Sequence, residues 1–185
     1  AKAAAEKGAA AIVSERELEL PSVWAGAVIK VADTLQAYGA LARHHRQRYD
    51  LPVIGITGSN GKTTTKELIA AVLGEKYNVV KTEKNYNNEI GLPQTLLKID
   101  DSTEAVVVEM GMRGQGQIAY LAKLAQPTIG VITNIGVTHL ELLGTQAAIA
   151  AAKGELIEGL SPSGLAVLNG DDPLVIPMAT GFAGE

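Results

Sequence analysis

The feature that most constrains this chain is a glycine-rich segment between an apolar run and a helical pattern. Residues 55–65 read Gly-Ile-Thr-Gly-Ser-Asn-Gly-Lys-Thr-Thr-Thr. A strand, a glycine-rich loop and a helix beginning near Thr63 form a P-loop, whose backbone N–H groups point inward and hold phosphate oxygens. The strict pattern has glycine five positions before Gly61, where this chain has isoleucine, and Gly58 lies inside the loop instead. We still expect Gly55, Gly58 and Gly61 to give the turn its backbone freedom.

Two side chains of this loop have the positions that nucleotide chemistry requires. Lys62 can reach the β- and γ-phosphates, and the Thr63 hydroxyl can sit on Mg²⁺. The alternative is a glycine-rich turn with a chance Lys-Thr pair, but the strand before it and the helix after it favour the P-loop. The predicted nucleotide-binding residues are Thr57, Gly58, Ser59, Asn60, Gly61, Lys62, Thr63 and Thr64.

Composition excludes several classes of function. The 185 residues suffice for one sizeable domain, or for one domain and part of another. A net charge of −4 and an aromatic content of 4% argue against a nucleic-acid partner. The absence of cysteine excludes disulfides and thiolate zinc sites, and no apolar run or secretory signal suggests membrane insertion or export. We therefore expect a cytoplasmic monomer. We also expect the chain to be a piece of a longer protein, because it starts at Ala1 and ends at Glu185 without a closing element.

Strand and helix patterns alternate along the chain. Continuous β-branched runs suit strands that are buried on both faces, and the alternation predicts an α/β fold with a doubly wound, mostly parallel sheet around the P-loop. Ligands of such sheets bind at the carboxyl ends of the strands. The predicted strands are 10–13, 27–31, 53–56, 78–81, 105–110, 128–133 and 165–169. The predicted helices are 3–10, 34–48 with Asp33 as N-cap, 63–74, 92–97, 117–124, 146–159 and one starting at Asp172.

Unusual polar residues follow the predicted strands. Three amides, Asn85, Asn87 and Asn88, follow the strand at 78–81 and can hydrogen-bond a polar substrate in both directions, although by themselves they are better explained by a solvated turn, which Asn favours. Glu109 ends the strand at 105–110 and is a candidate Mg²⁺ ligand, with an ion pair at the sheet edge as the alternative.

Three further residues are candidates, of which His139 lies in the predicted crevice. His139 follows the strand at 128–133, and a neutral imidazole there can ligate a second metal. Lys153 lies on the helix at 146–159, where a solvated charge is the common alternative. Arg113 can neutralise a phosphate or simply occupy a loop. Asp172, next to Asp171 and before Pro173, reads as a helix N-cap rather than half of a catalytic pair.

Taken together, these segments resemble the ATP-dependent Mur ligases of bacterial peptidoglycan synthesis. The residues at 85–93 and 109–118 look most like the members that add D-alanyl-D-alanine to UDP-N-acetylmuramoyl-tripeptide, whose third residue is lysine or diaminopimelate. The segments that match the family as a whole are Thr57-Gly-Ser-Asn-Gly-Lys-Thr-Thr64, Glu109-Met-Gly, Asn134-Ile-Gly-Val-Thr-His139-Leu-Glu and Ala151-Ala-Lys153.

The resemblance implies a three-domain enzyme of which this chain holds only a part. Residues 1–26 would be the end of an N-terminal domain that grips the UDP-sugar, and residues 27–185 most of a central ATP-binding domain. The C-terminal domain, which presents the incoming amine, would be absent, so the chain alone is expected to be inactive. The implied substrates are ATP, UDP-N-acetylmuramoyl-tripeptide and D-alanyl-D-alanine, in cell-wall synthesis.

The resemblance also implies roles for single residues. The acceptor carboxylate would attack the γ-phosphate to give an acyl phosphate, which the amine then attacks, with Lys62 stabilising the transferring phosphoryl group. Thr63 and Glu109 would hold one Mg²⁺, and His139 a second. Lys153 would be carbamylated by CO₂ and join the metal site. The implied substrate-binding residues are Asn87, Asn88 and Arg113.

Other interpretations remain open at this point. Folylpolyglutamate synthase shares the P-loop type, and another Mur ligase would share most of the motifs. A regulatory P-loop module without ligase chemistry belongs to a different class, and its GTPase version is disfavoured because no Asn-Lys-x-Asp guanine motif occurs. A ligase would make ADP and phosphate only when acceptor and amine are both present.

Overall fold

The computed structural model describes residues 1–138 and 140–185. Two compact units divide the chain, Ala1–Leu41 and Ala42–Glu185. The first unit contains the short helix α1 (Lys2–Glu6) and the strands β1 (Ala11–Ser14) and β2 (Ala27–Lys30), which pair in parallel.

Helix α2 (Thr34–Arg46) starts in the first unit and ends in the second. Its first turn confirms the predicted cap, because the Gln36 amide donates to the Asp33 carboxylate at 2.9 Å.

The second unit is built on a five-stranded sheet in which every paired strand is parallel. The order across the sheet is β4-β5-β3-β6-β7. This confirms the predicted doubly wound parallel sheet. The strands are β3 (Val53–Thr57), β4 (Val79–Lys81), β5 (Ala105–Glu109), β6 (Ile129–Ile132) and β7 (Leu165–Leu168).

Helices cover both faces of this sheet. Four of the five residues of β3 and of β5 are apolar or glycine, and all five in each are buried, as expected for strands sandwiched between helices. One face packs against α4 (Gly91–Leu96), α5 (Gln117–Ala125) and α7 (Gln146–Glu158). The other packs against α3 (Lys62–Gly74), whose Ala70 lies in a smaller apolar cluster.

Two short helices differ from the sequence expectation. Helix α6 (Leu140–Leu143) was expected to be loop. The helix expected from Asp172 is instead a turn followed by a 3₁₀ helix (Ile176–Ala179). Pro177 would be the fifth residue of that helix, where it has no N–H to donate and its ring clashes with the carbonyl four residues earlier, whereas it is tolerated in the first turn of the 3₁₀ helix. The Asp172 carboxylate accepts from the Leu174 amide at 2.9 Å and from the Ile135 amide at 2.7 Å.

The strand order fixes where a ligand can bind. The chain leaves β3 at the centre, forms β4 and β5 on one side, and then crosses to β6 and β7 on the other. The loops after β3, β5 and β6 therefore open on the same edge, at the reversal point where doubly wound sheets bind ligands. Among the helices of the described residues, none is long and apolar enough to cross a membrane.

Candidate active site

The loop between β3 and α3 depends on two glycines in the left-handed region. Gly58 has φ +149° and Gly61 has φ +79°. A Cβ on Gly58 would lie 1.9 Å from Thr133 Oγ1, so no larger residue fits there. Gly55 does not serve the turn as expected, because it lies within β3. A Cβ there would lie 3.1 Å from Leu156 Cδ1, so Gly55 lets α7 pack closely on the strand.

The segment after β6 holds this loop in place. Asn134 pairs with both backbone groups of Asn60: its Oδ1 accepts from the Asn60 amide and its Nδ2 donates to the Asn60 carbonyl, each at 3.0 Å. The Ser59 amide donates to the Asn134 carbonyl at 2.9 Å, and Ser59 Oγ accepts from the Gly136 amide at 2.8 Å. Sequence reasoning gave Asn134 no role, although its position directly after a strand of the crevice was a usable signal.

Glu109 lies at the centre of the predicted site. Its side chain is only 2% exposed at the carboxyl end of β5. One carboxylate oxygen accepts from Thr63 Oγ1 at 2.8 Å and the other from Asn87 Nδ2 at 2.7 Å. Three residues predicted from three separate segments therefore meet in one hydrogen-bonded group.

These oxygen donors fit a magnesium ion. Mg²⁺ is bound in nucleotide sites by one or two protein oxygens, with phosphate oxygens and water completing the octahedron. The Glu109 carboxylate and Thr63 hydroxyl, 2.8 Å apart, are donors of this kind. Within 1–138 and 140–185, no three His, Cys, Asp or Glu residues lie close enough to form a metal site alone. The donor set is thus one that a bound nucleotide would have to complete. His139 lies outside the described residues.

Two lysines converge on the carbonyl of Gly58. Lys62 Nζ donates to it at 2.9 Å and Lys153 Nζ at 3.0 Å. Burial lowers the pKa of Lys62, against the opposing effect of Glu109. Burial and then the charge of Lys62 lower the pKa of Lys153 from 10.5 to about 8.

Lys153 is 2% exposed, so it is not the solvated helix charge that the sequence left as an alternative. Helical periodicity carried this information, because Lys153 lies four residues after Ile149 and three before Leu156, and both of these are fully buried.

A cavity of about 360 Å³ opens beside these lysines. Arg113 is exposed on its wall, and Asn87 and Asn88 also line it, so the structure brings together the residues expected to contact substrate. The Asn88 side-chain oxygen is already engaged, since it accepts from the Gly91 amide at 2.9 Å at the start of α4. The full lining is Lys62, Asn85, Asn87, Asn88, Glu89, Gly111, Met112, Arg113, Gln117 and Lys153.

The fold and this geometry define a class. A parallel sheet with a glycine-rich loop after its central strand, a lysine at the start of the next helix and a buried carboxylate at the end of the neighbouring strand is a P-loop nucleotide-binding domain.

Comparison with known proteins identifies the family within this class. The Mur ligase middle domain matches residues 56–182, and the chain belongs to the Mur ligase family. UDP-N-acetylmuramoyl-tripeptide--D-alanyl-D-alanine ligase of Synechocystis is 51% identical over 175 residues, which cover 95% of this chain and 38% of that protein.

Solved structures agree with this. MurF from Acinetobacter baumannii superposes with a TM-score of 0.83 at 35% identity, over 90% of this chain and 36% of that one. MurF ligase from Thermotoga maritima, in complex with ADP, gives 0.81 at 36% identity, over 90% of this chain and 38% of that one. The chain thus spans little more than a third of the length of these relatives.

Proposed function

We propose that this chain is the ATP-binding part of a ligase that joins D-alanyl-D-alanine to UDP-N-acetylmuramoyl-tripeptide in peptidoglycan synthesis. The observation that carries the proposal is the hydrogen-bonded group of Thr63, Glu109 and Asn87 at the mouth of the P-loop. The names of the relatives supply the substrates. Because the chain spans 38% of the Synechocystis relative, the activity belongs to the longer protein, and residues 1–185 alone are expected to be inactive.

In this proposal the P-loop performs phosphoryl transfer. The carboxylate of the tripeptide attacks the γ-phosphorus of ATP, the bond to the bridging oxygen of ADP breaks, and an acyl phosphate forms. Lys62 and the amides of the loop face the charge that spreads over the transferring group. The amine of D-alanyl-D-alanine then attacks the acyl carbon, and phosphate leaves with both electrons of the broken C–O bond.

Magnesium would bind to the oxygen donors at the end of β5. Thr63 and Glu109 would hold it, and it would supply positive charge where an anionic carboxylate meets a polyanion. Asn87 orients the Glu109 carboxylate through its 2.7 Å hydrogen bond. His139 would ligate a second Mg²⁺.

Lys153 is proposed to carry a carbamate in the active enzyme. Its pKa of about 8 leaves a useful fraction of neutral amine near neutral pH, and only the neutral amine attacks CO₂. An N–C bond forms and one proton is released, so a cation becomes an anion. That anion would lie beside Lys62 and would join the metal site. The Lys62 ammonium repels Lys153 while Lys153 is a cation, and it would attract the carbamate.

The remaining assignments concern substrates and setting. Asn87, Asn88 and Arg113 line the cavity beside Lys62 and would bind the nucleotide-sugar peptide. Residues 1–26 would be the C-terminal end of the UDP-sugar-binding domain, and residues 27–185 would form most of the ATP-binding domain. We place the enzyme in the cytoplasm as a monomer, with no nucleic-acid partner.

The test is substrate-dependent ATP turnover by the full-length protein. ADP and phosphate should form only when UDP-N-acetylmuramoyl-tripeptide and D-alanyl-D-alanine are both present, and the pentapeptide product should be visible by mass spectrometry. Lys62→Ala should abolish turnover, whereas Lys123→Ala, at an exposed position on α5, should not change it. ATP hydrolysis that ignores both substrates would indicate a P-loop module of another kind, and wild-type activity of Lys62→Ala would refute the site.

A further inference from the structure

One buried lysine of the second unit has no role in the proposed reaction. Lys66 lies one turn after Lys62 on α3, and its side chain is 0% exposed. Burying an ammonium group is costly unless it is paired and hydrogen-bonded, and replacing a buried ion pair with apolar groups often stabilises a protein. Stability therefore does not explain the presence of a lysine at this position.

The contacts of Lys66 point to the loop that follows β4. Lys66 Nζ donates to the carbonyl of Lys84 at 3.1 Å and pairs with Glu67 Oε1 at 3.0 Å. Glu67 also pairs with Lys81 at the end of β4. The ammonium thus joins α3 to residues 83–88, which we call the amide loop because it contains Asn85, Asn87 and Asn88.

The amide loop needs an external anchor at this point. Lys84 has φ +49°, in the left-handed region that non-glycine residues rarely adopt. Three residues further on, Asn87 donates to Glu109 at 2.7 Å, and its carbonyl accepts from the Gly111 amide at 2.8 Å. An ammonium group on the Lys84 carbonyl fixes the peptide group from which the chain reaches Asn87.

We propose that Lys66 is a positioning residue that holds the amide loop so that Asn87 meets Glu109 and the cavity wall keeps its shape. Lys66 acts through the Lys84 carbonyl and touches neither nucleotide nor acceptor. The proposal rests on the proposed function only for its kinetic consequence. Its structural part concerns the described chain alone.

A matched control exists on the same loop. Lys98 pairs with Glu83 of the amide loop, but both side chains are exposed. Lys98→Met therefore removes a lysine contact to the same segment from the solvent side, where an ion pair contributes little. Lys66→Met removes the buried contact, and Lys66→Gln is a second variant that keeps a polar side chain too short to replace the ammonium.

The first experiment is amide hydrogen exchange on this chain, which needs no activity. In either Lys66 variant the Tyr86, Asn87 and Gly111 amides should exchange about tenfold faster, while amides of β3 and α5 keep their rates. Lys98→Met should stay within about twofold at all of them. Unchanged exchange at the three amides, or an equal rise across β3 and α5, would overturn the proposal.

The second experiment is steady-state kinetics on the full-length enzyme. Lys66→Met should raise the KM for UDP-N-acetylmuramoyl-tripeptide about tenfold, because the wall that contacts it loses its anchor. The KM for ATP should rise several-fold less, because Glu109 loses only the orienting contact from Asn87 and the P-loop keeps its own contacts. Equal rises in both KM values would show general support of the P-loop and overturn the positioning role. If the wild-type enzyme forms no pentapeptide, the proposed function fails, and the exchange data still decide the role of Lys66.

Discussion

Replacing Lys153 with methionine should change the pH dependence of folding stability by an amount that the structure predicts. Burial, and next the charge of Lys62, lower the pKa of Lys153 from 10.5 to about 8 in the folded chain. Below about pH 8 both folded and unfolded chains bind this proton, and the folded state bears the full cost of the buried charge, about 3 kcal/mol. Between about pH 8 and 10.5 the folded chain has released the proton and the unfolded chain still holds it. Wild-type stability therefore rises with pH through this window.

Lys153→Met removes that proton equilibrium, so the comparison isolates it. The free energy of unfolding of the variant minus that of wild type should fall by roughly 2–3 kcal/mol between about pH 7 and pH 10. Contributions that do not depend on pH, such as the lost hydrogen bond to the Gly58 carbonyl, cancel in this difference. Urea denaturation in CO₂-free buffer measures it, with exposed Lys123→Met as the matched control that should show no such change. If the difference in the free energy of unfolding between variant and wild type is the same at both pH values, the lowered pKa of a buried Lys153 is wrong.

Four other substitutions give three tests of the site. Gly58→Ala should abolish ADP binding and destabilise the fold more than Gly61→Ala does, because a Cβ on residue 58 would lie 1.9 Å from Thr133 Oγ1. A Cβ on residue 61 would meet open space, so Gly61→Ala costs only backbone strain of about 1–2 kcal/mol. Calorimetric titration measures ADP binding and denaturation measures stability, and equal losses of stability would contradict the prediction. Glu109→Gln should remove most of the magnesium dependence of ADP binding while the fold persists, and an affinity that still rises with Mg²⁺ as in wild type would count against the assignment. Asn134→Asp should destabilise the chain by about 1–3 kcal/mol, because a carboxylate oxygen would replace the amide that donates to the Asn60 carbonyl; unchanged denaturation would show that this pair is dispensable.

The sequence predicted the sheet well and placed Glu109 beside the P-loop, for a physical reason. Strands buried on both faces leave continuous apolar runs, and the carboxyl ends of neighbouring parallel strands must lie at one edge. Glu109 and the P-loop were therefore expected to be neighbours, and the structure pairs Glu109 with Thr63.

Long side chains and tertiary hydrogen bonds were harder to predict. Lysine is mostly exposed in proteins, so Lys153 reads as a surface charge unless its place on an apolar helix face is given weight, and nothing in the sequence singled out Lys66. The position of Asn134 after a strand of the crevice could have suggested a role, but its reciprocal pairing with Asn60 depends on the spacing of two loops, which no local pattern contains. The hydrogen bond from the Ile135 amide to the Asp172 carboxylate is likewise a contact between distant segments.

The proposed function requires this P-loop to transfer the γ-phosphoryl group of ATP to a carboxylate. The most direct test uses full-length enzyme, ATP, D-alanyl-D-alanine and an acceptor whose terminal carboxylate is labelled with ¹⁸O. The attacking carboxylate oxygen stays with the phosphoryl group when the amine displaces it. The inorganic phosphate released should therefore carry one ¹⁸O atom from the acceptor, as mass spectrometry would show. Pentapeptide formation with phosphate free of ¹⁸O would contradict the proposed transfer.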